Sequence, residues 1–159
     1  MSITQQVRLT HAKGFEGQEG DLQTQNNVSK VNTTTAVIPF GAICVRDDQD
    51  GVKPMASNST ASDVIGVAVR AFNDVTVGEA GINPKHTGTV KTMGTIWVKV
   101  GEEVEAGGAV YAGTGTDVLG KFMAKAGATN TLAVALPGWK YLTGATKDEV
   151  ALVSINVGG

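Results

Sequence analysis

The chain has 159 residues, of which 42% are hydrophobic and only 5% aromatic, and its formal net charge is −2. Its lysines and arginines form no basic cluster, which argues against direct binding of nucleic acid. The sequence also contains no run of about twenty apolar residues that could span a membrane. With 21 glycines and a single cysteine, the composition is typical of a turn-rich β protein without an internal disulfide. The cysteine, Cys44, is expected to be a small buried core residue.

Residues 1–35 differ in composition from the rest of the chain. They are rich in Gln, Asn, Thr and Gly, and their few apolar residues keep neither helical nor strand spacing for long. A free linker has no need of large apolar side chains, so we expect an extended arm that lies on something, such as a neighbouring subunit. The alternative is a partly ordered tail. The side chains expected to contact a partner are Val7, Leu9, Phe15 and Leu22.

Residues 36–159 are predicted to form a body of short β-strands. Apolar runs are separated by turn signals at a spacing that suits an all-β fold, either a small barrel or a jelly-roll-like sandwich. No segment has a helical stripe, and at most one short helical turn fits, near residues 58–63. The predicted strands cover residues 40–46, 64–71, 87–93, 95–100, 109–113, 120–125, 131–136 and 150–157.

The residue pattern of the predicted strand VIGVAVRA (64–71) indicates how each of its two faces packs. Strict alternation places Ile65, Val67 and Val69 on one face. The small residues on its other face, Gly66 among them, predict the close approach of another backbone.

Lys125 raises the question of a covalently bound cofactor, because the glycine-punctuated hairpin at residues 94–114 is similar to those of biotin and lipoate carrier domains. A carrier lysine lies at the tip of a tight hairpin, usually between methionines, so that a ligase can reach it. Here the local sequence is MAK, at the end of a predicted strand. We therefore interpret residues 94–114 as the hairpin of a barrel and expect no carried group.

Three further patterns are weak signs of chemistry. DDQDG (47–51) lacks the terminal glutamate of a helix-flanked calcium loop and predicts a hairpin turn. GTGTDVLG (113–120) lacks the Lys-Ser/Thr pair and the helix of a phosphate loop. His11 and His86 have no other ligand-type residue at metal-binding spacing, and no serine lies in a nucleophile-elbow context. The sequence therefore predicts no catalytic residue, no metal and no cofactor.

Trp97 is the most informative aromatic residue. In TIWVKV (95–100), alternation puts Ile96 and Val98 on the apolar face and Trp97 on the opposite, more polar face. An outward tryptophan is a common anchor at interfaces, so Trp97 is a candidate for partner binding. The alternative is that the arm or a loop of the same chain covers it.

The order of several short motifs resembles the structural cement, or capsid decoration, proteins of tailed bacteriophages. GFEGQEGDL (14–22) is similar to the G-x-x-G-Q-x-x-D stretch of those proteins, and IPFGAICVR (38–46) is similar to their I-P-F-G-x-x-V strand entry. VIGVAVRA (64–71) matches an x-G-V-A strand, and residues 136–156 have the apolar segment, small-residue turn and final strand of the family. The chain departs from the pattern at Glu19-Gly20, where an apolar-small pair is usual.

The resemblance implies a non-enzymatic virion protein on the outside of an icosahedral shell. Such a protein joins neighbouring major capsid subunits, forms a homodimer or homotrimer, and is made in the cytoplasm of the host bacterium. It binds neither nucleic acid nor membrane directly. The alternative function is a β-rich subunit of a phage tail, baseplate or fibre, since such a subunit has the same composition and the same lack of catalytic motifs.

Overall fold

The computed structural model describes residues 13–20, 24–48, 50–71 and 80–156. These residues are nearly all β, with short 3-10 helices at Ala61–Asp63 and Thr129–Thr131, and no helix among them is long and apolar enough to cross a membrane. The predicted all-β class is confirmed. The strands are β1 (Asn26–Asn32), β2 (Ile38–Pro39), β3 (Ile43–Asp47), β4 (Gly51–Pro54), β5 (Val64–Ala68), β6 (Gly81–Ile82), β7 (Thr87–Lys99), β8 (Ala109–Gly113), β9 (Phe122–Met123), β10 (Ala133–Tyr141) and β11 (Val150–Ile155).

Five strands close into a barrel. The order β1-β4-β3-β5-β7 returns to β1, because β7 pairs antiparallel with both β5 and β1. The pairing of β1 with β4 is parallel, whereas β3 pairs antiparallel with both β4 and β5. Closure removes the free strand edges that otherwise invite pairing with other chains. The predicted small barrel is thus confirmed.

The 13-residue strand β7 belongs to two sheets. Its first half lies in the barrel, and its second half, from Gly94 to Lys99, pairs antiparallel with β11. Strands β10, β8 and β9 extend this second sheet, and a bridge between Val100 and Phe122 brings β9 back to the end of β7. The sequence suggested two strands separated by Gly94, but the chain continues through this glycine, whose φ is +119°.

Of the three apolar clusters among the described residues, β3 contributes to the two larger ones. Cys44 points into the barrel, whereas its neighbours Ile43 and Val45 point outward and pack against the second sheet. The barrel cluster contains Ile38, Cys44, Val52, Ala68, Ile82 and Val90. The larger cluster, between the barrel wall and the second sheet, includes Trp139, which stacks on Phe122 with ring centroids 6.5 Å apart.

β5 departs from the predicted alternation at Ile65. The pairing of β3 with β5 has a register shift next to this residue, and such a bulge turns a side chain to the other face. Ile65 therefore packs with Ala68 in the barrel cluster, while Val67 and Val69 lie in the larger cluster. The expectation that Ile65 shares a face with Val67 and Val69 is wrong.

Two other expectations for the core are confirmed. A Cβ atom on Gly66 would lie 2.0 Å from the carbonyl oxygen of Lys91, so the neighbouring backbone does approach closely at this position. Cys44 is fully buried, and burial raises the pKa of its thiol to about 12. The thiol is therefore a core group and not a reactive one.

The boundary predicted between arm and body is wrong for β1. Residues 26–32 fall within the predicted arm, yet they pair with β7 along six residue positions and with β4 at two. The sequence NNVSKVN has only two apolar residues, because the inner face of this strand includes the polar residues Lys30 and Asn32 beside Val28. The body therefore begins at or before Asn26. Val7, Leu9 and Leu22 lie outside the described residues.

Candidate interaction surface

Residues 13–20, here called the clamp segment, extend the second sheet on the edge of β7 that faces away from β11. The N–H of Gly17 donates to the carbonyl of Trp97 (2.8 Å), and the N–H of Trp97 donates to the carbonyl of Gln18 (2.8 Å). The N–H of Gly20 donates to the carbonyl of Thr95 (3.0 Å). The clamp segment is therefore hydrogen-bonded to the body as a strand would be, and it is not a loosely attached arm.

Three glycines at a spacing of three let the clamp segment lie close to the body. A Cβ atom on Gly14 would stand 2.3 Å from Cδ1 of Trp97, and one on Gly20 would stand 2.4 Å from a leucine methyl group of β11. Gly17 has a φ of +75°, and a Cβ there would lie 2.7 Å from the backbone nitrogen of Gly41. Any side chain at these positions would push the segment away from the sheet.

Trp97 lies beneath the clamp segment. Its side chain is absent from the cluster that holds Ile96 and Val98, so the predicted face is correct. The residue is nevertheless only 8% exposed, because Gly14 covers its indole ring. Of the two alternatives for Trp97, coverage by the same chain is the one observed in this protein.

A buried lysine ties the clamp segment to β7. The side chain of Lys91 is completely buried, and its amine lies 2.7 Å from the Oε1 atom of Glu19. The amine also donates to the side-chain oxygen of Gln25 (2.7 Å), and the amide of Asn27 donates to Glu19 (2.8 Å). The hydrogen bond from Lys91 lowers the pKa of Glu19 below its usual value. A charge buried in this way needs its partner, so Glu19 holds the end of the clamp segment in place.

A second ion pair is found at the beginning of the clamp segment. The amine of Lys13 lies 2.8 Å from a carboxylate oxygen of Glu149, in the turn before β11. The hydrogen bond from Lys13, with help from the backbone N–H of Thr146, lowers the pKa of Glu149 to about 2. Both side chains are about half exposed, and exposed pairs contribute little net stability. This ion pair therefore helps to position the clamp segment and adds little to the stability of the fold.

Phe15 stands at the corner of a tight turn in the clamp segment. The N–H of Gln18 donates to the carbonyl of Phe15 (2.9 Å), and the N–H of Phe15 donates to the side-chain oxygen of Gln18 (3.0 Å). Gly17 supplies the positive φ that the third residue of such a turn requires. The backbone of Phe15 is thus fixed, while its residue surface is 71% exposed.

Arg70 supports the inner side of the Phe15 ring. Its guanidinium lies 6.0 Å from the centroid of Phe15 and 5.5 Å from that of the buried Phe40. Its Nε atom donates to the carbonyl of Glu16 (2.9 Å). A cation between two rings is a favourable arrangement, and it leaves the outer face of Phe15 open. A rigid aromatic side chain held in this way loses little entropy on binding.

Of the five partner-binding residues suggested by the sequence, the structure describes two, Phe15 and Trp97, and Gly14, which packs on the Trp97 ring, directly precedes Phe15. Arg70 and Lys91 were not predicted from the sequence, because only apolar residues were considered as candidates for partner binding. The sequence feature that could have predicted this contact is the three-residue spacing of Gly14, Gly17 and Gly20, because repeated glycines indicate a backbone that lies close to a neighbouring segment.

The residues considered for chemistry lie in ordinary surroundings. The side chain of Lys125 is 77% exposed and its amine is 3.8 Å from Glu102, and the Nδ1 atom of His86 is 2.9 Å from the carbonyl of Pro84. Within the described ranges, no three His, Cys, Asp or Glu residues come together as a metal site would require. His11 lies outside those ranges.

Comparison with known proteins agrees with the resemblance seen in the sequence. The family model described as structural cement protein (E217 gp24/Pam3 gp6) matches residues 3–156. This chain belongs to the phage structural cement protein family. As a member of that family it is a structural virion protein, associated with the phage capsid.

A solved structure has the same fold as this cement protein. A chain from the capsid of Myoviridae phage XM1 aligns over 100% of both chains, with 20% identity and a TM-score of 0.69. The N base of the head fiber gp8.5 of bacteriophage phi29 aligns over 83% of this chain and 94% of its own, with 12% identity and a TM-score of 0.42. No curated protein matches the sequence.

Proposed function

We propose that this cement protein binds the outer surface of an icosahedral phage capsid and reinforces the contacts between neighbouring major capsid subunits. It acts as a rigid body without catalysis, a metal or a cofactor. Each copy contributes a modest contact, and repetition over the shell gives a large total. The protein is made in the cytoplasm of the host bacterium and joins the shell there.

The observation that carries this proposal is the exposure of Phe15 on a fixed turn. A phenylalanine that is 71% exposed contributes little to the fold of the isolated chain, but it offers a preformed apolar contact to a partner. The turn of the clamp segment holds this ring beside Arg70. Trp97 serves the contact indirectly, as the surface on which the clamp segment rests.

Val7, Leu9 and Leu22 complete the proposed contact. In the sequence Val7 and Leu9 precede the clamp segment and Leu22 follows its last residue by two, so all three are within eight residues of Phe15. We propose that they extend the apolar contact to the capsid or to a second copy of the cement protein in a homodimer or homotrimer. No contact with nucleic acid or membrane is part of this function.

Binding to purified capsids tests the proposal. Capsids that lack the cement protein would be incubated with the wild-type chain, with Phe15→Ala and with the control Leu132→Ala, which removes another exposed apolar side chain far along the sequence (49% exposed). We expect Phe15→Ala to reduce occupancy strongly and Leu132→Ala to leave it unchanged, with equal melting temperatures. Equal occupancy for all three proteins would contradict the role of Phe15.

The number of copies of the protein per phage particle distinguishes a capsid protein from a tail protein. Quantitative mass spectrometry of tailless capsids is expected to find hundreds of copies per particle, because a cement protein covers the whole shell. Only a few to a few dozen copies, present with tails and absent from tailless capsids, would instead identify a tail, baseplate or fibre subunit.

A further inference from the structure

The open end of the barrel is a pocket to which every strand of the ring contributes. Its volume is about 280 Å³, and it is lined by Val28 and Lys30 of β1, Arg46 of β3, Gly51 of β4, Ile65 of β5 and Thr92 of β7. The deeper residues belong to the apolar barrel filling, against which Val28 and Ile65 pack. The pocket is therefore the mouth of the barrel and not a gap between loops.

Two basic side chains stand at this mouth because of strand alternation. Lys30 lies between Val28 and Asn32, which both face the interior, so its side chain leaves from the inner face of β1. Arg46 continues the inner face of β3 beyond Cys44. Inward-facing positions of small barrels are normally filled by apolar side chains, so two cations on an apolar floor make this end distinctive.

Neither cation is firmly neutralised within the chain. The amine of Lys30 is 3.6 Å from Asp50, whose side chain is 93% exposed, and such a pair is weak. The guanidinium of Arg46 makes no hydrogen bond or ion pair with the described part of the chain, although Asp63 lies near enough to interact with its charge. The nearby Asp47 is occupied by Lys53 and by the hydroxyl of Thr33. The mouth thus presents two weakly neutralised cations above an apolar floor.

We propose that the barrel mouth is a receptor for a carboxylate side chain of a partner protein, which inserts with its methylene groups on Val28 and Ile65 and its oxygens on Lys30 and Arg46. Arginine binds carboxylates through two parallel hydrogen bonds, and these charge-assisted bonds are strong. The identification of the partner as a major capsid subunit rests on the proposed function. The specificity for a carboxylate is independent of that function, because it rests on the residues of the pocket.

A carboxylate fits this site better than a nucleic-acid phosphate. A phosphate backbone is bound by a row of cations along a groove, whereas the mouth has two cations on a chain whose net charge is −2. An apolar floor adds nothing to a phosphate group but accommodates the stem of a glutamate. The site also lies at the centre of a closed ring, where a single inserted side chain can be surrounded.

Binding of glutarate to the full chain tests the site without a capsid. Methyl NMR is expected to show saturable shifts of Val28 and Ile65 on addition of glutarate, and no such shifts with the neutral analogue glutaramide. Arg46→Gln combined with Lys30→Gln should weaken glutarate binding by about tenfold or more, since each lost bond to a charged group is costly. The control Lys99→Gln, at an exposed position of β7, should bind as the wild type does. Arg46→Gln alone, at an exposed position, gives the same test if the double variant is unstable.

Several results would overturn the proposal. One is equal shifts with glutarate and glutaramide, and another is shifts spread over lysines across the whole surface. Tighter binding of a short DNA duplex than of glutarate at Val28 and Ile65 would identify a phosphate site instead. On capsids, Arg46→Glu should lower occupancy and Lys99→Glu should not. If glutarate binds but Arg46→Glu still decorates capsids normally, the capsid is not the partner at this pocket, while the capsid function tested by Phe15→Ala stands by itself.

Discussion

Gly14 lies against the indole ring of Trp97, so close that a Cβ atom on the glycine would stand 2.3 Å from Cδ1 of the ring. Because Gly14 has no Cβ atom, the clamp segment can pack directly on the Trp97 side chain of β7. Gly14→Ala is expected to lower the free energy of unfolding by about 1–3 kcal/mol, the usual cost of overpacking. It should also make residues 13–20 more accessible to proteases. Urea denaturation and limited proteolysis would measure the two effects.

Gly144→Ala is the matched control. The nearest atom to a Cβ at this position is the carbonyl oxygen of Val104 at 3.2 Å, and the backbone is not in the left-handed region. We expect a change within about 0.5 kcal/mol, as for most surface substitutions. If both alanine variants unfold at the same denaturant concentration, the contact between Gly14 and Trp97 does not constrain the segment.

The sequence predicted the fold class because strand periodicity is a local property. β5, β8 and β11 fall within predicted strands, β3 exceeds its predicted strand by one residue, and β7 joins two predicted strands, since their alternation of apolar residues is readable in a short window. β2, β4 and β6 were missed, because strands of two to four residues carry too few positions to show a period. The face of Ile65 was misassigned for a different reason: a bulge depends on the partner strand, which the sequence of β5 does not contain.

The interaction surface was less predictable than the fold. Phe15 could be singled out because a large apolar residue in a polar segment is conspicuous. Its rigid setting depends on Arg70 and Phe40, which are 55 and 25 residues away along the chain, and on the partner that Lys91 finds in Glu19. Pairings between distant residues leave no local pattern. The polar composition of residues 13–20 therefore suggested an arm where the structure has a segment hydrogen-bonded to β7.

The pair formed by Glu19 and Lys91 is expected to be strongly coupled. Glu19→Ala leaves the buried amine of Lys91 with Gln25 as its remaining partner, and a charged group that loses a partner typically costs about 1–3 kcal/mol. Lys91→Met replaces the amine by an apolar group of similar shape, so Glu19→Ala should cost little in that background. A double-mutant cycle by urea denaturation measures the coupling. Strictly additive effects would show that the two residues act independently.

Acid should break the ion pair at the beginning of the clamp segment. The folded pKa of Glu149 is about 2, below the ordinary value of 4.5, because Lys13 donates to its carboxylate. A depressed pKa means that this contribution to stability is full above pH 4.5 and is lost as the pH falls through about 2. Carboxyl NMR of Glu149 would follow it. In Lys13→Met the pKa should move back toward 4.5, and an unchanged titration would show that Lys13 is not the cause.

Truncation separates the clamp segment from the residues before it. Deletion of residues 2–12 keeps every contact described for residues 13–20, so we expect a nearly unchanged melting temperature. Deletion of residues 2–20 removes three backbone hydrogen bonds to β7, uncovers Trp97 and leaves Lys91 without Glu19, which should lower the melting temperature by many degrees. For a domain of this size a loss of about 1 kcal/mol corresponds to roughly 2–4 °C. Capsid occupancy measured on the shorter deletion then reports on residues 2–12, Val7 and Leu9 among them, without a change in the fold. Equal melting temperatures for the two deletions would mean that residues 13–20 contribute nothing to the body and belong to an arm after all.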